Sequence, residues 1–112
     1  MCSPDHPCAT LTFDELRTFA LAVTADPGWS GRQVSIGIER RMGWLGSTIG
    51  RVVRFATTAP ACTVVHELAH VLSHDTDHGP AFWRAYQQVD LLAQTVWRSR
   101  LAHRGAPRTS PA

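Results

Sequence analysis

The chain has 112 residues and a mass of 12.3 kDa, and 44% of its residues are hydrophobic, which suits one domain with one core. Its 11 basic and 9 acidic residues leave a formal net charge of +2, too little to argue for nucleic acid and too balanced for a disordered chain. No run of about 18 apolar residues occurs, which excludes a transmembrane helix, and three cysteines do not make a disulfide scaffold, so a reducing cytoplasm is expected.

Residues 1–10 read as a flexible tail, because Pro4 and Pro7 interrupt a stretch without periodicity. The same stretch lacks the basic and apolar regions of a secretory signal. Thr12 and Glu15 then form a T-x-x-E capping box, with Leu11 and Leu16 placed as the hydrophobic staple. Leu16, Phe19, Ala20 and Val23 recur with helical spacing, and Asp26-Pro27-Gly28 ends this first helix. From about Gln33 to Thr57 the pattern is that of β structure. Val34, Ile36 and Ile38 alternate with smaller residues, and Arg51 to Ala56 forms a second strand. Between them, Gly43, Gly46 and Gly50 punctuate a segment with Trp44, Leu45 and Ile49, consistent with a hairpin and a short third strand. The expected fold class is α+β, with a small three-stranded antiparallel or mixed sheet that needs a helix over one face.

A second helix is predicted after Thr58, its expected N-cap, with Pro60 in the first turn. Val64, Val65, Leu68, Ala69, Val71 and Leu72 make this helix almost wholly apolar, which predicts a central, buried position. A loop runs from His74 to Gly79. Pro80 opens a last helix whose stripe is Phe82, Tyr86, Val89, Ala93, Val96 and Trp97. Beyond Arg98 the chain is basic and contains proline, and residues 101–112 are expected to be a tail, leaving 11–100 as a single domain.

The apolar second helix carries His66-Glu67-Leu68-Ala69-His70, an H-E-x-x-H pattern. Residues i and i+4 lie one turn apart on one face, with Cβ atoms about 5–6 Å apart. Two imidazoles so placed can converge on one metal ion, with Zn2+ the expected cofactor. Glu67 points about 100° around the helix from His66. From there its carboxylate can reach a water in an open coordination position and act as general base. Three ionisable side chains in an apolar helix cost several kcal/mol unless they are paired or bound to metal. A catalytic zinc needs a third protein ligand, for which His74, Asp75, Asp77 and His78 are candidates. A straight helix carries His74 away from the pair, whereas the loop before Gly79-Pro80 is long enough to return His78. The longer metzincin pattern fails, because Ser73 and Thr76 stand where it needs Gly and His.

HELAH, seven intervening residues and then HGPAFW together resemble the SprT-like (Spartan-like) family of zinc metalloproteases. The resemblance is specific over Val64 to Trp83 and only topological elsewhere. It implies a minimal zincin domain, with His66, His70 and His78 as zinc ligands and Glu67 as the general base. It also implies a peptidase acting on protein or peptide. Ala81 stands where that family often has an acidic residue.

The remaining candidates have plainer readings. Cys2, His6 and Cys8 lack an evident fourth ligand and fall in the tail. Cys62 and Tyr86 are expected in the core, with a contact to the reaction the lesser reading for Tyr86. Trp29, Trp44, Trp83 and Trp97 are expected to be mostly core, although Trp44 can line a peptide-binding edge. Arg98, Arg100, Arg104 and Arg108 read as a solvated tail before they read as phosphate contacts, so a nucleic-acid partner has only weak support. The expected function is zinc-dependent peptide hydrolysis. The alternatives are a zinc hydrolase of a non-peptide amide and a non-catalytic, zinc-stabilised module. A closed four-ligand site with His74 or Asp77 added would mark the last of these.

Overall fold

The computed structural model describes the backbone of residues 9–109 and side chains as far as Ser99. The fold is α+β, with three helices and two small sheets. In chain order the elements are β1 (Thr10–Thr12), α1 (Phe13–Ala25), β2 (Ser35–Ile38), β3 (Gly46–Ile49), β4 (Val52–Phe55), β5 (Thr58–Pro60), α2 (Cys62–Ser73) and α3 (Pro80–Thr109). Among the described residues no helix is long and apolar enough to cross a membrane.

Helix α1 starts where its capping box predicts. The Glu15 N–H donates to Thr12 Oγ1 at 3.3 Å, and the Thr12 N–H donates to Glu15 Oε1 at 2.9 Å. Its stripe of Leu16, Phe19, Ala20 and Val23 is fully buried. The three-stranded sheet is mixed, in the order β2-β4-β3, with β2 parallel and β3 antiparallel to β4. A two-residue turn, Gly50-Arg51, joins β3 to β4, and Gly50 takes the positive φ of 61° that such a tight turn requires. Val53 and Phe55 of the central strand point into the core. There they meet Val64, Val65, Leu68 and Val71 of α2 and Val89 and Ala93 of α3. The edge of Trp97 packs on Phe19, with ring centroids 5.3 Å apart, which ties α3 to α1.

Three expectations need correction. Thr58 is not the N-cap of α2. It lies in β5, which pairs antiparallel with β1 in the register Thr10↔Pro60, Leu11↔Ala59, Thr12↔Thr58. Helix α2 begins after Ala61, without a side-chain cap. Pro60 fits a strand here because the adjacent Ala61 N–H donates to Ala9 at 2.9 Å, so the ladder continues past the missing donor. A three-residue strand pair leaves no periodic trace in a sequence, and Thr10 therefore belongs to the fold rather than to a tail. Second, helical backbone continues to Thr109, into the residues 101–112 where a tail is predicted. Third, Trp83 is about half exposed rather than core, whereas Trp29 and Trp97 pack against the core and Trp44, half exposed, lines the cleft over α2. The tail residues Cys2, His6 and Cys8 lie outside the described residues, as do the side chains of Arg100, Arg104 and Arg108.

Phe55 is the large side chain that the central strand sends into the core. Phe55→Ala should cost about 3–5 kcal/mol. In a domain of this size that lowers the thermal midpoint by more than about 10 °C, read by calorimetry or circular dichroism.

Candidate metal centre

Helix α2 is buried on most sides and sits between the sheet and α3, yet it carries His66, Glu67 and His70 in its middle. Its end is decided by His74, which adopts the left-handed conformation (φ 57°, ψ 22°) and donates its N–H to the His70 carbonyl at 3.0 Å. The chain then reverses. The Asp75 N–H donates to Ser73 Oγ at 3.1 Å and the Asp77 N–H to Asp75 Oδ1 at 2.9 Å, so the loop closes on its own side chains. This turn brings His78 back over α2 before α3 begins.

The imidazoles of His66, His70 and His78 offer ligand atoms that all lie within 4.8 Å of one another. The Nε2 atoms of His66 and His78 are 3.3 Å apart. A tetrahedral ion with bonds of about 2.0–2.1 Å separates its ligand atoms by about 3.3–3.4 Å, so this pair already has that spacing. The fully buried Phe82 ring forms the floor, with its centroid 5.3, 4.6 and 4.7 Å from those of His66, His70 and His78. His70 Nδ1 lies 2.6 Å from the Asp75 carbonyl oxygen. A carbonyl only accepts, so Nδ1 carries the proton and Nε2 is left as the ligand atom. Burial, then repulsion from His70 and His78, lowers the His66 pKa to about 4, so it stays neutral and able to bind metal at neutral pH.

The set contains three side chains, and neither His74 nor Asp77 belongs to it. His74 is exposed and has Nδ1 3.2 Å from Arg32 Nη2, and Asp75 serves through its backbone. Glu67 is 6% exposed, and burial raises its pKa against the lowering effect of a hydrogen bond. That bond comes from Thr48 on β3, whose hydroxyl lies 2.7 Å from Glu67 Oε1 and 3.1 Å from the Glu67 backbone oxygen. Oε2 retains acceptor capacity of its own. Gly46 makes this approach of strand to helix possible. A Cβ there would lie 3.0 Å from the Arg54 carbonyl oxygen, 3.1 Å from Glu67 Cγ and 3.1 Å from Thr63 Cγ2.

An open cleft of about 520 Å³ lies over these groups, with β3 on one side and the three histidines on the other. Its rim includes Arg41 and Trp44, from the loop between β2 and β3. A buried carboxylate orders that loop. Glu39 accepts from Arg41 Nε and Nη2, both at 2.9 Å, from the Arg41 N–H at 3.1 Å and from the Ser47 hydroxyl. The Arg41 guanidinium also stacks on Trp44, 3.7 Å from the ring centroid. These bonds hold the Glu39 carboxyl well below the usual carboxylate range. Sequence patterns single out neither Glu39 nor Thr48, because both act across strands too short to show a period. Cys62 is half-buried, and Tyr86, also half-buried, packs against the core as expected.

No family model, curated protein or solved structure matches the chain. The likeness to SprT-like proteases therefore rests on HELAH and HGPAFW alone.

The depressed Glu39 pKa has a definite sign in stability. Its contribution is fully present above the unfolded value of about 4.3 and is lost as pH falls through the lower folded value. The stability advantage of wild type over Glu39→Gln should therefore be largest near pH 6–7 and shrink as pH falls from about 5 toward 3. Urea unfolding of both proteins across that range measures it.

Proposed function

We propose that this chain is a zinc-dependent metallopeptidase of the minimal zincin type, acting on protein or peptide. The observation that carries the reading is one arrangement: three imidazoles converge on a point in an open cleft, and Glu67, next to one of them in sequence, lines the same cleft without joining the set. A purely structural site has no use for that carboxylate. Zinc held by His66, His70 and His78 would supply a Lewis acid for the scissile carbonyl and make an attacking water more acidic. Glu67 accepts the proton of that water and returns it to the leaving amine nitrogen. Burial raises its pKa, which makes it a better acceptor for the proton it later returns. Thr48 holds Oε1 and so aims the remaining oxygen. Strand β3 is an edge of its sheet, and its free side can hold an extended substrate by backbone pairing. The sparse, odd cysteines support a cytoplasmic setting.

Metal analysis of purified protein should find one zinc per chain, strongly reduced by His78→Ala and retained by His74→Ala. Chelation should lower the melting temperature by several degrees or more, with recovery on adding zinc, because the ion binds only the folded chain.

Glu67→Gln should keep the zinc and the fold but reduce hydrolysis of peptide libraries about 10²–10⁴-fold. Thr48→Val should also keep the zinc while lowering kcat more than it changes KM, and Thr48→Ser should restore most of the loss. Full turnover by Glu67→Gln would remove the carboxylate from the mechanism.

A further inference from the structure

A second cavity of about 400 Å³ opens beside the metal centre and shares Trp44, Gly46, His66 and Glu67 with the main cleft. It is bounded by the β2–β3 loop, the first turns of α2 and Tyr86 of α3. The two spaces are similarly apolar and differ in the charged side chains that line them. The main cleft is rimmed by Arg32, Arg41, His74 and Asp75. In the side cavity the charged or titratable lining is His66 and Glu67 of the centre itself, with Cys62 and Tyr86, and the other walls include Leu45, Pro60 and the Trp44 ring. We infer that this cavity is the pocket for a large apolar side chain, aromatic above all, on a substrate residue flanking the scissile bond. The inference rests on the peptidase reading and adds a substrate class to it.

Three observations converge on that occupant. A pocket of this volume falls in the range of about 300–1,000 Å³ that holds small organic groups, and apolar walls reward apolar contents. It adjoins Glu67, so a side chain seated in it is attached to a backbone that lies over the reacting groups. Trp44 and Leu45 of its lining are about half exposed, and they belong to a wider stretch of uncovered apolar surface. Of the seven large hydrophobic side chains exposed among the described residues, Met42, Trp44, Leu45 and Ile49 lie on the β2–β3 loop and β3. An extended, apolar polypeptide would cover these groups as it paired with β3. The Trp44 wall is already fixed, because Arg41 stacks on it while bonded to the buried Glu39.

The test uses the zinc-loaded full chain with two readouts. In peptide-library digestion, residues next to the cut should be enriched in Phe, Tyr, Leu and Met. In calorimetry, phenylalanine hydroxamate should bind at least about tenfold tighter than glycine hydroxamate, the scale that apolar pockets achieve. Cys62→Phe, which fills the cavity from α2, should erase both preferences. Leu45→Glu, at an exposed position that does not threaten folding, should shift cleavage from aromatic toward basic residues. Cleavage without apolar preference would overturn the pocket and leave the peptidase standing. Tighter binding of phenylalanine hydroxamate without any cleavage would support the pocket and overturn the peptidase. Equal binding of the two hydroxamates to the wild type, or preferences unchanged in Cys62→Phe and Leu45→Glu, would also overturn the pocket.

Discussion

Placing two half-buried imidazoles and a buried carboxylate on one apolar helix is costly unless each finds a partner, and α2 carries all three. The surrounding architecture follows from that requirement. Helix α2 must be central because Val64, Val65, Leu68 and Val71 leave it no polar face of any width. Its ionisable groups are then met by the elements packed around it. Strand β3 supplies Thr48 to Glu67, the loop after α2 supplies the Asp75 carbonyl to His70, and α3 supplies the Phe82 floor. His66 is kept neutral by the same burial.

The return of the chain after α2 is the second constraint. His74 ends the helix in a left-handed conformation that costs a non-glycine residue about 1 kcal/mol or more. A helix continued through His74 would carry the chain away from His66. The turn is secured by short bonds within residues 73–77, and it brings His78 Nε2 to 3.3 Å from His66 Nε2. A local backbone cost at one residue thus completes a three-imidazole set.

The wall opposite the helix depends on Glu39. It is buried at 7% exposure and meets its charge with Arg41 and Ser47, which pins a loop whose apolar side chains are largely uncovered. A loop with exposed Met42, Trp44 and Leu45 would otherwise collapse on itself or on the cleft. Gly46 permits the close approach of β3 to α2, and the Thr48–Glu67 bond links the strand edge to the general-base candidate.

The H-E-x-x-H spacing, the capping box of α1 and the apolar stripes of all three helices are legible in the sequence, because helical geometry is local and fixes which residues share a face. The mixed sheet is legible in outline for the same reason, since strand alternation has a period of two. Sequence reasoning favours His78 over His74 as the third imidazole, and the tertiary structure brings it to the helical pair through one backbone conformation at His74 and a loop that has no period. The pairing of β1 with β5, the hold of Thr48 on Glu67, the buried Glu39 and the side cavity are tertiary for a related reason. These features bring together residues as far as 50 positions apart, through short strands and the loops between them. Contacts of that kind are set by how the whole chain closes around its core, and no pattern of neighbours in the sequence encodes them.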